Sequence, residues 1–276
     1  MYRYGVLGKK DYDKGNYYFK FLELEPFNDV ASTDAEAYFN RGRRLIYKNP
    51  DNAIDVLLNA KELGLKEAGD IVNIVILNDN KAYKTSTKGF EVLKNFAESG
   101  NVNAMNMLGE IYKDGKIVKK DIEQSKKWLK EATDKGDVIA SRNLGLLYLD
   151  EGDSITALRW FTNSAEGKDA VSAYYVAQIY GTNEILKDEK QSEEWFLKAA
   201  ELGNFKAMAV AGAMYVNGTK FVSKDYAKAY AWLYLASNGF VGLEKQKLIE
   251  KSLVIKTHLS EQELEKANEY IIKYQK

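Results

Sequence analysis

The sequence predicts an all-α solenoid of antiparallel helix pairs, and three observations carry that reading. All four tryptophans occupy one slot of an internal repeat: Trp128, Trp160, Trp195 and Trp232 stand 32, 35 and 37 residues apart. Each tryptophan sits in the same frame. A tyrosine precedes it (Tyr112, Tyr148, Tyr180, Tyr215), and three residues before that tyrosine stands Gly109, Gly145, Ala177 or Gly212. A small residue and a glycine follow: Ala132 and Gly136, Ser164 and Gly167, Ala199 and Gly203, Ala236 and Gly239. Within each unit the apolar residues recur at helical spacing. A period in the thirties marks an array of stacked helices, in which one unit cannot bury its apolar face alone.

The elements follow in chain order. Over 1–34, the segment KKDYDKGNYYFKFLELEPF predicts a second-helix ended by Pro26. Over 35–100 the pattern persists in two divergent units. AEAYFNRGRRLIY from Ala35 pairs with NAIDVLLNAKELG, where Val56 takes the tryptophan slot. AGDIVNIVIL from Ala68 pairs with GFEVLKNFAESG, where Val92 takes it. IVNIVIL alone reads as a strand, but the register of its neighbours makes it a helix.

The clearest unit runs from Ala104 to Gly136. Ala104, Leu108 and Tyr112 form one helical stripe, with Gly109 beside it admitting a second helix. Gly115 breaks the chain. Ser125, Trp128, Leu129 and Ala132 form the second stripe, and Gly136 ends it. The tryptophans, in register with small residues, read as wedges between helices. The unit restarts at Ala140 with about four loop residues fewer, then near Ser172 and at Ala207, so 104–239 holds four clear copies. Over 243–276, Leu243 to Leu259 predicts a further helix. Ser260 with Glu263 has the form of a capping box. A last helix carries Leu264, Ala267, Tyr270 and Ile271 on one face. Two prolines and no linker-like stretch predict one continuous solenoid over 1–276.

At these residues the chain resembles the Sel-one-like repeat family, a relative of the tetratricopeptide repeat. The family frame A-x-x-x-L-G-x-x-Y-x-x-G-x-G-V-x-x-D-x-x-x-A-x-x-W-x-x-x-A-A-x-x-G is matched by Ala104, Leu108, Gly109, Tyr112, Gly115, Val118, Asp121, Trp128, Ala132 and Gly136. Ala207, Gly212, Tyr215, Gly218, Val222, Asp225, Ala229, Trp232, Ala236 and Gly239 match it again. The match weakens over 35–100, where Arg41 and Asn73 fall in slots that are apolar or small in the family, and the 1–34 segment with LELEP looks more tetratricopeptide-like. The resemblance implies a right-handed superhelix whose first helices line the concave face. It implies an adaptor in bacterial envelope, virulence or signalling processes, or in endoplasmic-reticulum quality control.

Composition narrows the function. Forty basic residues balance forty acidic ones, without the basic excess a nucleic-acid binder shows. There is no cysteine and one histidine, which removes disulfides and the usual zinc site. No stretch approaches 18 apolar residues, so no membrane insertion is expected. No signal peptide is visible, so the chain as it stands reads as cytoplasmic, or as periplasmic or secreted if a leader has been trimmed. No glycine-rich phosphate loop, G-x-S-x-G or Ser-x-x-Lys motif is present. His258 reads as solvated or capping. Asp121 and Asp225, each just before a second helix, read as N-caps. No cofactor is expected.

The expectation is therefore a non-enzymatic scaffold that binds a protein or peptide partner on the concave face. An envelope or virulence adaptor and a toxin-neutralising protein both fit. The runner-up is a hydrolase with a cryptic carboxylate site. The candidate partner-binding row, on first-helix positions pointing away from the second helix, is Phe39, Arg43, Asp70, Asn106, Glu110, Arg142, Tyr174 and Gln178, with Ile74, Leu146, Ala209 and Ala213 on the same register.

Overall fold

A computed structural model describes residues 33–45, 50–77 and 87–275, all of whose regular structure is helical. The segment ending at Pro26 lies outside the described residues. Fourteen helices are seen among the described residues, in two compact units, Met1–Asp137 and Val138–Lys276. The first unit holds α1 (Asp34–Leu45), α2 (Pro50–Glu62), α3 (Lys66–Leu77), α4 (Thr87–Glu98), α5 (Val102–Asp114) and α6 (Ile122–Asp134). The second holds α7 (Val138–Asp150), α8 (Ser154–Glu166), α9 (Ala170–Thr182), α10 (Glu189–Glu201), α11 (Phe205–Asn217), α12 (Tyr226–Ser237), α13 (Gly242–Lys256) and α14 (Glu261–Tyr274). IVNIVIL is helical, within α3, as its register requires.

Each helix from α5 to α11 has 13 residues, about 20 Å of rise. Side-chain caps set the starts of α5, α6 and α8 to α12. Asn101, Asp121, Asp153, Asp169, Asp188, Asn204 and Asp225 each accept a hydrogen bond from the backbone N–H three residues on. Asp121 and Asp225 are thus caps, as their position implied.

The loops inside the pairs share one closure. The N–H of the capping aspartate donates to the carbonyl of the repeat tyrosine: Asp121 to Tyr112, Asp153 to Tyr148, Asp188 to Tyr180 and Asp225 to Tyr215, at 2.9–3.0 Å. The loop shortened before α8 keeps this bond, because only its two ends are constrained. Loop length can therefore vary without disturbing the pair.

Close packing inside a pair rests on the glycine slot. A Cβ on Gly145 would lie 2.7 Å from the Phe161 ring, and one on Gly212 would lie 2.6 Å from Leu233 Cγ. Gly42 receives Leu57 and Gly109 receives Leu129 in the same way. The residue that enters the partner helix is thus the one after the tryptophan slot. Leu57, Leu93, Leu129, Phe161 and Leu233 are all buried. The tryptophans divide. Trp128 and Trp232 are buried and Trp160 and Trp195 are half-buried; Trp195 still packs against the cores on both sides of it, so the wedge reading is weakest at Trp160. Where serine precedes the tryptophan by three, it ties the pair further: Ser125 Oγ donates to the Gly109 carbonyl at 2.6 Å and Ser192 Oγ to that of Ala177 at 2.9 Å.

The expected pairs α1–α2, α5–α6, α7–α8, α9–α10 and α11–α12 form. The pair α3–α4 is looser, α3 resting mainly on α2 and α4 on α5. The chain ends differently again. α13 and α14 both pack mainly on α12 rather than on each other. Tyr274 lies 4.8 Å from the Trp232 ring, and Ala267 and Ile271 are buried. The capping box at Ser260 and Glu263 is present and starts α14.

Candidate functional site

Phe39, Arg43, Asp70, Asn106 and Glu110 belong to the first unit; Arg142, Tyr174 and Gln178 belong to the second. Phe39 and Arg43 are both buried, the guanidinium 5.5 Å from the ring centroid, so neither presents a docking surface. Spacing alone places them outward, because it does not tell which face α1 buries. Asp70 is exposed on α3; Asn106 and Glu110 are half-buried on α5.

Arg142 has a structural partner. Its Nη1 donates to Asp169 Oδ1 at 2.7 Å, while Asp169 Oδ2 accepts from the Ser172 N–H at 2.8 Å. Arg142 on α7 therefore holds the cap of α9, across adjacent repeats. Both side chains are largely shielded from water, so the pair is stronger than a surface ion pair.

Tyr174 and Gln178 share one turn of α9, with Gln178 Nε2 donating to Tyr174 Oη at 3.2 Å. The Tyr174 ring meets Phe196 edge-on at 5.6 Å. In the repeat register Ala177 holds the slot that Gly42, Gly109, Gly145 and Gly212 hold in the pairs α1–α2, α5–α6, α7–α8 and α11–α12. Phe196 remains half-exposed and lies against Tyr174, whereas Phe161, facing Gly145, is fully buried.

Beside Tyr174 opens a groove of about 360 Å³. Val171, Tyr174 and Tyr175 of α9, Phe205 and Lys206 of α11, and Phe240 line it. Phe205 is held over Gly239, where a Cβ would collide with its ring. Val171 and Phe205 are exposed although apolar. Their rings and methyls, half of Tyr174 and the Lys206 ammonium together offer an apolar cleft with one cationic rim. Such a surface seats an aromatic or aliphatic side chain. The sequence reading missed Val171, Tyr175, Phe205, Lys206 and Phe240. The legible signal was an apolar residue directly following a cap region, at a position no core stripe uses.

Elsewhere the polar groups serve the helices. Lys228 lies 3.4 Å from Asp225, 5.1 Å from the Tyr215 ring and 5.7 Å from that of Tyr270. Burial pulls its pKa down, but Tyr215, Tyr270 and Asp225 together raise it. Burial pushes the Tyr215 phenol up. His258 is exposed at the end of α13, its Nδ1 2.9 Å from the Val254 carbonyl. Among the described residues no group of three or more His, Cys, Asp or Glu is placed to hold a metal ion, and no helix is long and apolar enough to cross a membrane.

The repeat frame is matched as a Sel1 repeat over residues 1–21, 102–137, 138–169, 170–204 and 206–239. The chain belongs to the Sel1 repeat family. The last four Sel1 matches correspond to the pairs α5–α6, α7–α8, α9–α10 and α11–α12. Among solved structures, a protective antigen of uropathogenic Escherichia coli strains with an SLR fold is 24% identical, with a TM-score of 0.59. The match covers 87% of this chain and 54% of the antigen chain, so this chain spans about half the antigen's length. A Sel1 repeat protein from Oxalobacter formigenes is 21% identical over 95% of this chain and 98% of its own, with a TM-score of 0.58. Both likenesses establish the Sel1-type all-helical solenoid as the fold. No curated protein matches the chain.

Proposed function

We propose that this Sel1 repeat protein is a non-enzymatic interaction scaffold that seats a protein or peptide partner in the groove beside Tyr174. The groove is walled by the first helices α9 and α11 and by the turn after α12, and first helices line the concave face in the family. The observation that carries the reading is the groove itself: exposed Val171 and Phe205 with half-exposed Tyr174 around a cleft. Sel1 repeats generally serve as protein-interaction scaffolds, which supports the same class. Arg142 leaves the binding row because Asp169 already engages it. Asp70 on α3 and Asn106 and Glu110 on α5 belong to the first unit and do not line this groove.

The test starts with affinity capture of the partner, using a photo-crosslinking side chain at Phe205. Crosslinks should form there. Tyr174→Ala combined with Phe205→Ala should weaken the complex by about 2 kcal/mol or more, the usual hot-spot threshold. Crosslinks confined to the second helices would refute the site. A captured toxin whose activity the chain suppresses supports the neutraliser role; an envelope component supports the adaptor role.

A further inference from the structure

We propose that the outer face of α13 is a self-association surface, on which a second copy of this chain docks its own α13 antiparallel about a twofold axis. The proposal stands apart from the groove beside Tyr174 and does not depend on it.

The first observation is that α13 lacks the partner its place in the array calls for. In the pairs α1–α2, α5–α6, α7–α8 and α11–α12 the first helix receives a second helix at a glycine. On α11, Ala207, Met208 and Ala211 are buried, and Gly212 takes Leu233. On α13 the equivalent run is Leu248, Ile249, Ser252 and Leu253. Leu248 and Ser252 are buried against α12, but a leucine stands in the glycine slot, and Leu253 is 51% exposed. A side chain of that size keeps a second helix at a distance, and α14 packs across α12 instead. Leu243 and Val254 are left 63% and 61% exposed.

The second observation concerns the adjoining exposed face of the same helix, about 90° round from Leu253. Leu243, Lys247, Glu250 and Val254 are all exposed. At about 100° per residue they fall within a stripe about 60° wide. Read in either direction, the stripe is apolar, charged, oppositely charged, apolar. In an antiparallel twofold pair, Leu243 meets Val254 of the second copy and Lys247 meets its Glu250, and each contact occurs twice. That reciprocity is what an isologous interface requires. The existing Lys247–Glu244 contact, at 3.6 Å, is an exposed pair of little strength and does not compete seriously. Two paired helices of 15 residues make a contact at or below the small end of stable interfaces. The dimer is therefore concentration-dependent.

The experiment uses the full chain and sedimentation equilibrium from low micromolar to submillimolar concentration. A reversible monomer–dimer equilibrium is expected. Val254→Glu should raise the dissociation constant at least tenfold. Lys247→Glu and Glu250→Lys should each weaken the dimer, and the two together should restore it, because each copy then again presents opposite charges. The chain has no cysteine, so Leu243→Cys with Val254→Cys gives an unambiguous crosslink. The two positions are about 16 Å apart along one helix, too far to bridge within a chain. Mild oxidation should yield a covalent dimer from the double variant and not from either single variant. All these side chains are exposed, so circular dichroism should be unchanged. A monomer at every concentration, a dimer indifferent to Val254→Glu, a charge swap that fails to restore, or equal crosslinking by a single cysteine would each overturn the proposal.

Discussion

Phe161→Ala should destabilise the second unit by about 4 kcal/mol, and Trp160→Ala by much less. The Phe161 ring is fully buried, rests over Gly145, and stacks on Tyr175 with centroids 4.8 Å apart and planes 11° apart. Truncating a buried phenylalanine costs about 3–5 kcal/mol, and a stacked partner places this case in the upper half. Trp160, one residue earlier, is half-exposed and loses only part of its burial, about 1–2 kcal/mol. Sequence register alone ranks them the other way, since the tryptophan is the repeat's signature. Denaturant unfolding followed by circular dichroism gives the totals. Amide exchange locates the loss, which in a stacked array should concentrate in α7 to α10. Gly145→Ala provides a second arm. Its Cβ would lie 2.7 Å from the ring, an overpacking worth about 1–3 kcal/mol. Combined with Phe161→Leu, the cost should fall below the sum of the two single changes. If Trp160→Ala proves the more damaging, or Phe161→Ala costs less than about 1 kcal/mol, the packing argument fails.

Four further outcomes follow from particular contacts. Lys168 holds a left-handed φ of 68° where the neighbouring turns use glycine. Lys168→Gly should stabilise the chain by about 0.5–1 kcal/mol in denaturant melts, the left-handed penalty less glycine's extra chain entropy. Gly167→Ala should do the reverse, because its Cβ would strike Val138. The Glu263 carboxyl is held below its ordinary pKa by the Ser260 backbone N–H and then by the Ser260 hydroxyl. A folded-state pKa below the unfolded one gives a contribution complete above the unfolded carboxylate range, about 4.3, and lost as pH falls through the lowered value. Exchange protection of α14 should weaken over that acid window, and Glu263→Gln should remove the pH dependence. Deleting 257–276 uncovers Trp232, which is 3% exposed under Tyr274. Its fluorescence should shift to the red and the protein should associate; unchanged emission would mean that α14 is not the cover.

The sequence by itself determined the repeat, the helix pairs and their caps. These are local matters: a 3.6-residue period, an aspartate three residues before the N–H it accepts from, and a glycine where a leucine must fit. It also determined the family, because the frame of Ala104 to Gly136 returns with little change to Gly239. Only the tertiary structure decided which side chain fills each glycine slot, because Trp160 and Phe161 are adjacent and periodicity cannot say which one points inward. It also turned Phe39 and Arg43 into the interior and gave Arg142 to Asp169, a partner 27 residues away. The groove lay beyond sequence reading for the same reason. Its walls come from α9, the start of α11 and the turn after α12, and only the stacking of repeats brings them together.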